Sequence, residues 1–443
     1  RIIYSPYYNL LITQYSTFLG SNHSSISFDT VQIQKHALSL LNFVYKNRNQ
    51  RQPLIQTQRF ELKEVDWYEL LVNRRLVAHE ASVFNPTIVT SIKPKENKKV
   101  EPVDSFELIA SLNEILHVNL FTLKNATAFV KLADENVDIT LHGYNTTLWV
   151  KALINSGNIN DGLDAIGELS FRSLHVANPD FNVHVDNFKF GERAPFIGNL
   201  YYQAKANLAL SLAGLNLEKI SWSELNNSLT LNGLGWRSLD VKINGGQEHS
   251  SQKASNMKTS IKINDIRGGN SSLEYHKDSL TLNTSLEKVN LEELIFDDSL
   301  YVKGISIKCK SLTLDSEPNE IRIKDFTFND EGGAISNIRF NHQGRDPYNV
   351  LVERLSFYAK LPDFARKKYA IDKLDVDRIK LQFDKQDSLH RLNLDLESGL
   401  NVSDLTYRNK TISVGAMTLN IGPVNMLNER WEKKVNVAHN TTH

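Results

Sequence analysis

A single cysteine, Cys309, in a chain of 443 residues excludes an internal disulfide and any cysteine-ligated zinc cluster. Charge of one sign is missing too. The 51 basic residues balance 51 acidic ones, so there is no cationic excess for a nucleic-acid backbone and no acidic tail. With 11 prolines and 21 glycines the chain is neither collagen-like nor low-complexity. No apolar run reaches the ~18 residues that a membrane-crossing helix needs.

Catalytic signatures are equally scarce. "GLGWRS" at 233 has two glycines but no strand-to-helix setting for a phosphate loop, and no G-x-S-x-G elbow occurs. "HEASV" at 79 begins like a zinc-protease helix but carries Val83 where the second histidine must stand. His175 and His184 fall on expected strands, and the other histidines are dispersed. The acidic pairs Asp297-Asp298 and Asp375/Asp377 read as solvated charge, although a glycosidase pair distant in sequence stays open. The N-x-[ST] triplets at Asn145 and Asn409 follow from a chain rich in Asn, Ser and Thr. The expectation is a protein without enzymatic activity, cofactor or metal.

What is present is alternation. "SSISFDTVQIQ" sets Ile26 and Phe28, then Val31 and Ile33, on alternate positions. The same rhythm gives Ile261 and Ile263, Leu280 and Leu282, Ile305 and Ile307, Ile321 and Ile323, and Leu392, Leu394 and Leu396. A period of two means strands with one apolar and one wet face, the antiparallel pattern. The phase slips in places, for instance between Cys309 and Leu312, which predicts β-bulges. Cys309 itself alternates with Ile305 and Ile307 and reads as a small buried hydrophobe. Helical spacing is confined to the N-terminus, "DWYELLVNRR", "SFELIASLNEIL" at 105, "NDGLDAIGELS" at 160 and "LPDFARKK" at 361. The lysine-rich "KPKENKKVEP" at 93–102 is a solvated loop.

The chain also repeats itself. "VDWYELLVNRRLVAHEASVFNPTI", residues 65–88, aligns without a gap on "VNLEELIFDDSLYVKGISIKCKSL", residues 289–312. Its second half aligns on residues 169–181, with Asn85-Pro86 facing Asn178-Pro179. A looser form, a leucine followed five and seven positions later by apolar residues, recurs at Leu374, Ile379 and Leu381 and at Leu116, Phe121 and Leu123. Such repetition predicts stacked units, each too small to bury its own face.

An extended meander of this kind either seals its apolar face against a second sheet or leaves an open trough that something greasy must occupy. Sheltering one CH₂ is worth about 0.8 kcal/mol, so a sixteen-carbon acyl chain gains on the order of 12 kcal/mol. Such a trough would carry lipid with no catalytic residue.

Two segments, "SPYYNLLITQYSTFLGSNHSSISFDTVQIQKHALSLLNFVYKN" and "LKEVDWYELLVNRRLVAHEASVFNPTI", resemble the region after the membrane anchor in AsmA-like proteins of bacterial envelopes. "IDKLDVDRIKLQFDKQDSLHRLNLDLESGLNVSDL" and "ISVGAMTLNIGPV" are similar to that family's later strands. The resemblance implies a periplasm-facing protein tethered to the inner membrane, with a repeating β-groove of the bridge-like lipid carriers and a part in outer-membrane homeostasis.

The expected architecture is therefore all-β: an elongated, curved antiparallel sheet forming a groove, with a few short helices. Residues 1–22 read as a helix following a removed membrane anchor, or as a docked N-terminal element, since the chain starts at Arg1 without an initiator Met. Residues 23–443 form the groove, with sub-units 23–248 and 249–443, and the chain reads as one segment of a longer protein. The expected groove lining is Ile26, Phe28, Ile261, Ile263, Leu280, Leu282, Ile305, Ile307, Ile321, Ile323, Leu392, Leu394 and Leu396. The expected partners are a phospholipid or other acyl-chain lipid and the membrane that the missing anchor would reach, with no nucleic acid. The alternative is a non-enzymatic scaffold or adhesion protein with a sealed core, for which Trp222 and Trp236 would be exposed at loop tips.

Overall fold

The computed structural model describes residues 24–34, 36–47, 55–73, 75–92, 116–132, 136–155, 159–191, 194–205, 207–223, 228–245, 260–296, 300–344, 347–359, 369–384, 391–408, 411–413, 416–428 and 433–437. The N-terminal helix, the helices expected at 105 and 361 and the loop at 93–102 lie outside these residues. So does residue 248, where the sequence suggested a division.

The protein is all-β, as its alternation predicts, and its chain forms two compact units. The first comprises Arg1–Lys205 with Asn216–Glu224, the second Ala206–Leu215 with Leu225–His443.

In the first unit Ser24–Ser27 and Thr30–Gln34 both pair along Ala37–Asn47, the two halves of one broken edge strand. Next come Ile55–Lys63, then a second broken strand, Leu76–Phe84 and Thr87–Ile92. Leu116–Leu132 follows, and then Val137–Trp149, Ile166–Ala177, Phe181–Gly191 and Ala194–Ala204, each antiparallel to the one before. Among the described residues this unit has three short helices: α1 (Trp67–Leu71), α2 (Val150–Ile154) and α3 (Ile159–Asp164).

The second unit is built alike. The broken strand Ser228–Asn232 and Gly235–Gly245 pairs with Ser260–Lys277. A meander follows through Leu280–Phe296, the broken strand Leu300–Lys303 and Ser306–Ser316, and Asn319–Asn329. It continues through Gly332–His342, Tyr348–Ala359, Tyr369–Asp384, Arg391–Arg408, Ala416–Asn428 and Lys433–Val437.

Among the described pairings each unit departs once from the antiparallel expectation. Leu116–Leu132 runs parallel to the broken strand before it, and Ser260–Lys277 does the same. Both junctions follow long connections, 93–115 and 246–259, and a parallel neighbour requires a crossover of a dozen residues or more.

The 224-residue repeat turns out to be half structural. Residues 76–84 form one strand, their equivalents 300–308 are strand on either side of a break at Gly304, and the segments that introduce them differ. In the first copy Asp66 caps α1, its Oδ1 accepting from Tyr68 N at 3.0 Å and Glu69 N at 3.1 Å. In the second copy the equivalent residues 291–295 extend the strand Leu280–Phe296, with Ile261 opposite Phe296 and Ile263 opposite Leu294. The neighbouring strand overrides a helical pattern that is similar in both places. The shared Asn-Pro also does two jobs. Asn85-Pro86 breaks one continuing strand, while Asn178-Pro179 lies in the turn between two antiparallel ones.

Candidate functional site: creased strands and rows of apolar side chains

What the repeat encodes is a crease. Along Asn319–Asn329, Ile321 and Ile323 share a face with Phe326 and Phe328, although the two pairs have opposite parity. Asp325 absorbs the extra residue in a left-handed conformation, φ 52°, so one polar pair, Lys324-Asp325, interrupts the alternation. The neighbouring strand repeats the device at Asn337, φ 54°, between Ile335 and Ile338. Further along, Glu353-Arg354 separates Val352 from Leu355, and Asp377-Arg378 separates Val376 from Ile379. Between Cys309 and Leu312 the register with the preceding strand slips where the sequence predicts it to.

The first unit does the same with asparagine. Asn42, Asn85, Asn125 and Asn187 all have φ between 51° and 55°, a region that Asn tolerates better than most residues. They are tied across strands: Asn125 Nδ2 donates to Asn85 Oδ1 at 2.7 Å, and Asn125 N donates to Asn145 Oδ1 at 2.8 Å. Asn42 Nδ2 donates to Asp29 Oδ2 at 2.7 Å. The sequon at Asn145 is thus part of a structural network. The leucine with apolar residues five and seven positions later at Leu374, Ile379 and Leu381 is what one crease produces, apolar, any, apolar, polar pair, apolar, any, apolar, whereas at Leu116, Phe121 and Leu123 no crease intervenes and the left-handed residue is Asn125.

Because neighbouring strands crease in register, their apolar positions form continuous rows. In the second unit Ile243 faces Tyr275, which faces Leu282, and the row continues through Leu314 and Ile321 to Phe340. From Phe340 it passes to Val350, Leu381, Leu394, Met426 and Val435. Across the crease a second row runs from Leu286 through Cys309, Phe326, Ile335 and Leu355 to Val376. A third contains Val289, Ile307, Phe328, Gly333 and Phe357. Phe326, Phe328 and Phe357 stack with centroids 6.1–6.4 Å apart.

Four of the thirteen residues singled out from the sequence as groove lining, Leu282, Ile307, Ile321 and Leu394, fall in these rows. Leu282, Ile307 and Ile321 are half-buried there, and Ile323, also half-buried, stands beside the rows opposite Leu312. Leu280 stands at the row's margin, opposite Lys277 and Ser316. Leu392 and Leu396 are placed by backbone register opposite Phe383 and Ile379. Ile261 and Ile263 lie beyond a second crease at Asp265, φ 55°, facing Leu229 and Leu231. Ile305 follows the break at Gly304, φ 67°, and is half-buried. In the first unit Ile26 is opposite Tyr45, and half-buried Phe28 sits in the break of the edge strand. Cys309 is buried, as expected.

The opposite face is charged. Lys308 meets Glu287 at 2.7 Å, Arg378 meets Glu353 at 3.1 Å, and Lys242 meets Glu274 at 2.8 Å. These pairs are well exposed, so each is worth at most about 1 kcal/mol. Hydrogen bonds from His276 and Lys242 hold the Glu274 carboxyl below the usual range.

Burial separates the two units. In the first, Leu62, Val65, Ala78, Ala81, Val118 and Val150 form a closed cluster under Trp67 and Leu70 of α1. Leu62 and Ser82 are both 0 % exposed, so the strands there are covered on both faces. In the second unit the row residues Ile307, Ile321, Phe326, Phe328, Ile335 and Phe340 remain partly exposed, as do Ile323 and Ile338 beside them, while Cys309 and Val376 of the second row are buried. A face packed against a second sheet would bury such side chains fully.

The tryptophans are not at loop tips. Trp222 lies in the strand Lys219–Ser223, clasped by Asn160, whose Nδ2 donates to Trp222 O at 2.7 Å. Trp236 lies in Gly235–Gly245, its Nε1 donating to Ser271 Oγ at 3.0 Å. His175 and His184 are direct cross-strand partners, and among the described residues no group of three or more metal-ligating side chains occurs. No described helix is long and apolar enough to cross a membrane. Comparison with family models, curated proteins and solved structures returned no match.

Proposed function

We propose that the apolar rows of the second unit form a passive binding path for the acyl chains of a phospholipid or similar lipid. The observation that carries this reading is the partial exposure of in-register rows spanning the sheet, backed by a charged opposite face. Apolar surface that water can reach costs free energy in proportion to its area, and an acyl chain laid along the rows removes that cost. The crease serves the same end. It absorbs an extra residue in several neighbouring strands while keeping their apolar positions on one face. No proton transfer or nucleophile is needed for binding of this kind, so the reading is non-enzymatic.

The wider setting, a bacterial cell envelope with an inner-membrane tether and a share in phospholipid transport, rests on the resemblance to AsmA-like proteins. The closed cluster of the first unit favours the rival reading, a β scaffold with a sealed core, for that region alone.

The test is to purify the chain from cells, extract it with organic solvent and analyse the extract by mass spectrometry. Phospholipid should co-purify in proportion to protein. Ile323→Glu and Leu394→Glu should each remove it while circular dichroism retains the sheet signal. A lipid-free wild-type protein, or variants that unfold outright, would favour a sealed scaffold.

A further inference from the structure

Trp236 is the largest side chain on the rows, and it is laid down rather than upright. Its register partner across the parallel pair is Gly268, which in turn faces Val289. A Cβ on Gly268 would collide with Trp236 Cζ2 and stand 2.5 Å from Cε2 and 2.9 Å from Cη2, all ring atoms. The indole therefore occupies the space that any other residue at 268 would fill. The adjoining edge of the ring is pinned: Nε1 donates to Ser271 Oγ at 3.0 Å, and Ser271 Oγ donates to Gly269 O at 2.9 Å. The same arrangement recurs along that row, where Phe357 lies over its partner Gly333, Cζ 2.7 Å from where a Cβ would be. An aromatic ring folded onto a glycine covers backbone that no side chain of its own would cover.

We infer that Gly268 is the clearance residue of the lipid path: it seats the Trp236 ring flat so that an acyl chain can pass over it. The inference rests on the reading of the rows as that path. It assigns to Gly268 and Ser271 a positioning role acting through Trp236. Valine at 268 suits a strand, so its effect is to displace the ring into the space above the rows.

The experiment compares co-purified phospholipid per chain in wild type, Gly268→Val, Trp236→Ala and the double variant, with thermal midpoints measured in parallel. Gly268→Val should lower bound lipid about tenfold, the effect of losing shelter for roughly two methylenes. Adding Trp236→Ala to Gly268→Val should restore loading to the level of Trp236→Ala alone. The inference is overturned if Gly268→Val loads normally. It is equally overturned if the double variant stays empty, since the defect then lies in the backbone and not in the ring. A wild type without lipid would overturn the underlying reading as well, and that outcome is distinct from the other two.

Discussion

Leu62 in the first unit and Ile323 in the second are branched aliphatic side chains on antiparallel strands, yet only Leu62 is sealed. The difference lies in what covers the apolar face. Around Leu62 the chain supplies α1 and α2, with Val150 and Leu153 buried and Trp67 and Leu70 packed against the cluster. Around Ile323 the neighbours are other strands of the same sheet, Leu312 on one side and the Gly332–His342 strand on the other. One strand design thus yields a closed core where helices cap it and an accessible apolar surface where they do not.

The widest separation should come from placing a charge at each site. Leu62→Glu buries a carboxylate without a partner and should unfold the first unit, a loss visible in its hydrogen exchange. Ile323→Glu can reach water and should leave the second unit folded. Unfolding of both would erase the distinction. Truncation should discriminate more gently: Leu62→Ala should cost about 3 kcal/mol in denaturant titration, and Ile323→Ala about 1 kcal/mol. Equal losses would mean that Ile323 also faces a packed layer.

The creases, shared by both units, should respond alike. Asn125→Ala places a Cβ-bearing residue without a cross-strand amide at φ 54° and should cost about 1 kcal/mol, whereas Asn125→Gly should be close to neutral. A larger cost for glycine would transfer the credit from the backbone to the bond with Asn85.

The smallest effect expected concerns acid. Burial tends to raise the Glu80 carboxyl, but hydrogen bonds from Ser82 and Lys63, with the charges of Lys63 and Lys124, hold it below its ordinary 4.5. A depressed carboxyl contributes stability above its unfolded value and loses it as pH falls through the folded one. The first unit should therefore weaken below pH 4.5 more steeply than a Lys63→Met variant does. Parallel curves would remove Glu80 from the account.

Much of this was legible in the chain. Alternation identifies the strands because half-buried faces need a period of two, and the spacing of five and seven at Leu374, Ile379 and Leu381 already contains the crease. Its meaning stayed hidden because polar pairs such as Asp377-Arg378 look like ordinary surface. Only the pairing shows that they line up from strand to strand. The helix Val150–Ile154 escaped notice since five residues are too few to show a helical period. The helix expected at 160 is shorter than its pattern, ending at Asp164 where Ile166 begins a strand. The two parallel junctions could not be read, because alternation is blind to strand direction.

Photo-crosslinking decides the matter most directly. A phospholipid with a diazirine midway along one acyl chain is loaded onto the full chain and irradiated, and the labelled peptides are sequenced. Label on the strands Ser306–Ser316 through Tyr348–Ala359, sparing the helix-capped cluster around Leu62, is the predicted pattern. Those strands left bare while the protein is folded would show that their oily side is closed to guests.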